Sequence, residues 1–402
     1  MNTQPRSLPA VERLLDKGVD IPNPWTLDIG PEVDLDRVSG QGVTIFPGCR
    51  IYGATTVISA GVHLGAEGPV TLQDCRLGPN VQLKGGYAAK AVFLEKANMG
   101  LGHHVREGCL LEEEAGGAHC VALKQTILFP FVTLGSLINF CDCLMAGGTS
   151  RKDHSEVGSS YIHFNFTPDG DKTTPSLFGD VPRGVLLGER PIFLGGQGGT
   201  VGPVRVGFGS VVAAGSVLRS DVPEDQLVMA GPLPNAQMKS SPSTYRAANR
   251  LVAKNVLYLA QLRALRAWYE TVRRPFFAAQ ELGLEVYQGA LDMLASAVAE
   301  RTTRLTAMVA KVPAEDDSRA QLKERIGQVC RLFDTPVEVQ LDHAVAAGLS
   351  AAAGTGVGYI EAIRGLDGRD AADASHWLQG IVDQAWAEVV GLLPALGRLP
   401  RP

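Results

Sequence analysis

The stretch VGFGSVVAAGSVL, residues 206–218, sets Val206, Val212 and Leu218 six residues apart, with Ser210 and Ser216 four places after the first two. A step of six is a multiple of the two-residue strand period and out of phase with a 3.6-residue helix. The aliphatic side chains therefore point the same way only if the chain is extended. The step recurs upstream at Ile45, Ile51 and Val57, then at Phe93, Met99, Val105 and Leu111, and after Gly117 at Leu123 and Phe129. Short strands in this rhythm, joined at glycine-rich corners, coil into a parallel β-helix whose aliphatic residues stack as an internal ladder.

The rhythm does not fill the chain. Over 402 residues, glycine crowds the part before about residue 235, and alanine, leucine and arginine dominate afterwards. Between them EDQLVMAGPLPNAQMKSSPS, residues 224–243, reads as a proline-bearing linker. The expected division is an N-terminal segment (1–24), a β-helix domain (25–235) and an α-helical domain (242–402). In the last part Leu251, Tyr258, Leu262, Leu265, Tyr269 and Val272 share one helical stripe. Arg246, Arg250 and Lys254 form a row at i, i+4 spacing that should face solvent. Further helices fit residues 285–312, 317–333 and 374–393, so a helical bundle is expected. It carries no catalytic constellation, which points to assembly or to a protein partner.

Charge and composition narrow the function classes. A net charge of −5 argues against nucleic acid. No run of about 18 apolar residues is present, so no membrane span is expected, and the first residues lack a basic-then-apolar leader pattern. The seven cysteines are scattered, and Cys141 and Cys143 are too close for a zinc pair, so reduced thiols in a cytoplasmic protein without a metal are expected.

If one coil takes 18 residues, Lys124 lies over Arg106 and Asp142 over Lys124. Neighbouring coils are about 4.8 Å apart. Two cations at that spacing repel unless they share an anion, and a phosphate or diphosphate suits them.

The repeat resembles the left-handed β-helix, hexapeptide-repeat acyltransferases, in which three hexapeptides make each triangular coil. The likeness runs over about residues 25–235 and sharpens towards the acetyltransferase half of the bifunctional UDP-N-acetylglucosamine pyrophosphorylase/glucosamine-1-phosphate N-acetyltransferase family. FLGGQGGTVGPVRVGFGSVVAAGSVL (193–218) is similar to that family's last coils. The nucleotidyltransferase domain of the family has no counterpart in this sequence. HVREGCLLEE (104–113) and VALKQT (121–126) match segments whose Arg and Lys hold a sugar phosphate, which implies that role for Arg106 and Lys124. The resemblance further implies an acyl-CoA co-substrate, a sugar phosphate or nucleotide sugar as acceptor, and a homotrimer.

One departure concerns the chemistry. Where the family has its catalytic His, TLGSLINFCDC (133–143) has Ser136, and Asn139 replaces a sugar-contacting Tyr. Serine alone has no useful basicity near neutral pH. SRKDHSEVGSSYIHFNFTPDGDK (150–172) follows, with about one hexapeptide more than the family carries. It could return an imidazole to the site through His154. Asn165 stands in the family's sugar-binding Asn position, Ser159 near the coenzyme thiol, Gly196 in place of a Ser, and Ala214 beside the pantetheine arm. His163 could instead sit in the coil wall; His119, His103 and His104 lie on the same coils. Three readings stay open: an acyltransferase, a nucleotide-sugar-binding protein that lost catalysis with the His, and an oligomeric scaffold.

Overall fold

The computed structural model describes residues 4–239, 245–335, 337 and 340–399. It shows a parallel β-helix of about eleven turns followed by a helical region. Helix α1 (Leu8–Asp16) caps the first coil, burying Val11 and Leu14. The first rung of the β-helix is Asp28–Ile29 and the last is Leu227–Val228. Part of the expected linker, residues 240–243, lies outside the described residues.

Each coil contributes strands to three faces, and each face has an inward column of stacked side chains. Face one stacks Ile58, Leu77, Phe93, Leu111, Leu128, Met145, Phe178 and Val206. Face two stacks Ile45, Leu64, Leu83, Met99, Gly117, Leu134, Val157, Leu194 and Val212. Face three runs from Ile29 through Ile51, Leu72, Ala88, Val105, Leu123 and Phe140, then continues with His163, Thr200 and Leu218. The six-residue step is thus an internal ladder, with two adjustments: Ile58 rather than Val57 shares the column of Leu77, and Leu128 rather than Phe129 that of Leu111.

The coil length changes midway. Leu123 pairs with Val105, eighteen residues earlier, but Leu128 pairs with Leu111 and Phe140 with Leu123, seventeen apart. The corner that follows Leu123 is one residue shorter than the corner below it. Cys141 therefore stacks on Lys124, and the expected place of Asp142 over that lysine is corrected. Larger excursions follow. A hairpin of Gly148–Ser150 with Asp153–His154 leaves the corner between faces one and two. A loop after Phe164 and the short helix α2 (Val181–Gly184) leave later corners.

The helical region comprises α3 (Ala248–Trp268), α4 (Arg274–Ala278), α5 (Gly283–Lys311), α6 (Asp317–Leu332), α7 (His343–Gly354), α8 (Tyr359–Arg364) and α9 (Gly368–Leu392). Helix α3 is its hub: most of its residues are buried around the whole circumference, so it has no single apolar stripe. Lys254, expected to face solvent, instead lies against the β-helix, donating to the Pro203 carbonyl at 2.9 Å and Asp221 Oδ1 at 2.7 Å. Arg246 and Arg250 are exposed as expected. Helix α5 lies on face one, where Gly289 meets Arg76 and Val92; a Cβ there would come within 2.5 Å of Arg76.

Buried charge fastens the two parts together. Tyr269 donates to Glu112 Oε1, and Arg273 pairs with Glu113 beneath the Tyr359 ring. Arg301 on α5 pairs with Asp142.

Candidate functional site

Faces two and three meet at a corner with a repeating construction. Backbone hydrogen bonds between coils stack Leu101, His119, Ser136, Ser159, Gly196 and Ala214 in one column. The next residue in four of these turns, Cys120, Leu137, Ser160 and Gln197, has φ between 52° and 63°, and Gly102 and Gly215 have φ of 77° and 76°. A left-handed residue in each turn folds the chain sharply and presents the preceding side chain outward.

The column brings two chemically useful groups together. Ser136 Oγ is 2.8 Å from His119 Nδ1, so an imidazole from the coil below reaches position 136. The Ser136 amide donates to Ser159 Oγ at 3.1 Å, which ties the third coil into the group. Gly195 and Gly196 continue the column with no side chain; a Cβ on Gly195 would collide with the backbone of residues 212–214. The expected coenzyme-side residues Ser159, Gly196 and Ala214 therefore share one edge with His119 and Ser136.

Face three carries the residues expected to hold an anion. Lys124 follows Arg106 in register, and both point outward. The lysine already pairs with Glu107 at 2.7 Å, and the carboxyl of Glu107 is held down mainly by that hydrogen bond. Cys141 completes the stack; burial pushes its thiol up, and the neighbouring Arg106 pulls it back. Asn139 is exposed on the same face, between Ala122 and Ile162.

Other expected residues fall elsewhere. Asn165 uses its amide internally, donating to Asp142 Oδ2 at 2.9 Å and accepting from Thr174 at 2.7 Å. His154 sits on the hairpin at the corner between faces one and two, the far side of a coil from His119, and its Nδ1 is buried without a hydrogen-bond partner. Within one chain it does not meet the cation pair. His163 is a rung of the inner ladder, bonded to Ser176 at 2.7 Å, and burial lowers it to about 3. His103 is likewise buried and lowered to about 4. His119 is exposed and stands one coil from its serine. Its offset of seventeen from Ser136 matches the length of this coil, a signal that an eighteen-residue step does not give. No cluster of His, Cys, Asp and Glu suited to a metal ion occurs among the described residues.

Stacked six-residue rungs on three faces define a hexapeptide-repeat β-helix. The named relatives agree. The bifunctional protein GlmU of Fervidobacterium nodosum is 28% identical over 219 residues, 54% of this chain and 43% of the relative. That of Clavibacter sepedonicus is 31% identical over 210 residues, 52% of this chain and 38% of the relative. The chain thus spans about two fifths of the length of these curated relatives. A solved UDP-N-acetylglucosamine acyltransferase from Campylobacter jejuni covers 53% of this chain and 70% of its own at 13% identity, with a TM-score of 0.15. No family model matches the chain. The β-helix and the relatives together fit a hexapeptide-repeat acetyltransferase.

Proposed function

We propose that this chain transfers an acyl group from an acyl-CoA thioester to an amine or hydroxyl of a sugar phosphate or nucleotide sugar. The observation that carries this reading is the contact between His119 Nδ1 and Ser136 Oγ on the edge shared with Ser159, Gly196 and Ala214. With Nδ1–H donating to Ser136 Oγ, the lone pair of Nε2 is free. That nitrogen takes the proton as the acceptor attacks the thioester carbonyl. The tetrahedral intermediate then expels the coenzyme thiolate, which recovers the proton from Nε2. Arg106 and Lys124 hold the acceptor phosphate, and Asn139 faces the sugar. The small residues of the column leave room for the pantetheine arm.

His119 supplies this base better than His154, which can reach the cations only from another chain. A homotrimer through residues 25–235, with sites between subunits, belongs to the same proposal. The test is acyl transfer from acetyl-CoA and longer acyl-CoAs to a panel of sugar phosphates and UDP-sugars, followed by mass spectrometry. An acylated sugar supports the reading. Tight nucleotide-sugar binding without product from any donor would make the chain a binding protein instead.

A further inference from the structure

A cleft of about 680 Å³ lies where the last coils meet the first half of α3. Four cations line it: Arg205 and Arg219 from the β-helix, and Arg250 and Lys254 from α3. Its two acids, Asp221 and Glu224, are both committed. Asp221 Oδ1 accepts from Lys254 at 2.7 Å and from the Arg205 amide at 2.8 Å, and Glu224 binds Arg183. Arg219 donates to the Val217 carbonyl rather than to an acid, and among the described residues neither Arg219 nor Arg250 has an acid within ion-pair range. Two exposed guanidinium groups thus face one cleft from the two parts of the molecule, over apolar walls that include Pro203 and Leu251.

We infer that this cleft is a second anion site, which binds the phosphates of a nucleotide bearing at least two of them. Arginine forks match phosphate oxygens in pairs, and the apolar wall offers a surface for the base. The volume lies within the range of small-molecule sites, which favour seams between packed units. The site is separate from Arg106 and Lys124: Val201 lies three coils beyond Lys124 in the face-three register, about 14 Å along the axis. It gives the helical domain a direct part in binding through Arg250, and it does not depend on the proposed acyl transfer. The nucleotide could be the adenosine end of a coenzyme or the uridine end of a sugar nucleotide, which share this chemistry.

Calorimetry on the full chain tests it with adenosine 3′,5′-bisphosphate and UDP in parallel, on wild type, Arg219→Glu and Arg250→Glu. Both residues are exposed, and thermal unfolding of each variant checks that the fold is kept. The expected result is that one nucleotide binds and that each charge reversal weakens it at least tenfold; the nucleotide that binds names the source. Two outcomes overturn the inference: neither nucleotide binds at millimolar concentration, or the affinity changes less than twofold in both variants.

Discussion

Arg301 of α5 reaches Asp142 of the β-helix with Nη2 at 2.7 Å from Oδ1, and both side chains are more than nine-tenths buried. The second oxygen of Asp142 accepts from Asn165, so the carboxylate joins a helix, a coil and a loop at one point. Burial pushes the carboxyl up and Arg301 pulls it back. Removing one partner from such a pair leaves a buried charge and costs about 3–5 kcal/mol. Arg301→Ala should lower stability by that amount in urea unfolding, and Arg301→Met with Asp142→Leu should recover most of the loss. An Arg301→Ala protein as stable as wild type would show that the pair fastens nothing.

The Glu112 cluster predicts a pH dependence. Burial is the main cause that pushes the Glu112 carboxyl up to about 7, with Arg273 opposing and Glu113 adding to it. The folded state therefore holds this proton more tightly than the unfolded chain. The contribution to stability is present below the ordinary carboxylate value of about 4.5 and is lost as pH rises towards 7. Glu112→Gln should flatten the stability profile between pH 5 and 7, and an unchanged slope in that window would exclude Glu112 as its source.

His119 gives the sharpest activity test. General-base catalysis is typically worth about 10²–10⁴-fold. His119→Ala should lose turnover on that scale with acceptor affinity nearly unchanged, whereas Ser136→Ala should lose less because it only orients the ring. His154→Ala should retain wild-type turnover. If His154→Ala fails and His119→Ala works, the base comes from the hairpin of another chain.

The cation pair can be tuned as well as broken. Arg106→Ala should weaken nucleotide-sugar binding by about 1.5–3 kcal/mol, the scale of a charged hydrogen bond. Glu107→Gln should tighten binding, because it releases Lys124 from its present partner. Tighter binding in neither Glu107→Gln nor looser binding in Arg106→Ala, measured by calorimetry, would remove phosphate from this face.

For assembly, Phe193, Val211 and Leu227 stand in register on the outer surface of face two, exposed by 39%, 40% and 69%. A trimer through residues 25–235 should scatter light as three chains. A single-chain mass at micromolar concentration would end the shared-site proposal.

The ladder was legible because inward residues must recur with the strand period: Val105, Leu111, Val206 and Val212 can be aliphatic only if they share the dry axis. Corners obey no such rule. The shorter turn after Leu123 leaves no trace in the hydrophobic pattern, so an eighteen-residue step puts Asp142 over Lys124 where the structure puts Cys141. Lys124 over Arg106 was legible because the coil below keeps eighteen residues. The main helices could be read from their apolar spacing, but α7, an alanine-rich run, and the six-residue α8 carry too little contrast between their faces. The docking of Lys254 on the β-helix depends on Asp221, thirty-three residues away, and no local pattern announces it.

His163 occupies a place where every other coil through Phe140 offers a hydrocarbon side chain, and it is answered there by Ser176. A repetitive ladder is open to misthreading, since an aliphatic rung fits against its neighbour one coil too early or too late. An imidazole kept neutral in the dry interior and matched to a single hydroxyl removes that freedom, because any slipped arrangement strands both groups. The pairing of His163 with Ser176 would thus mark one turn of the ladder as unlike the rest.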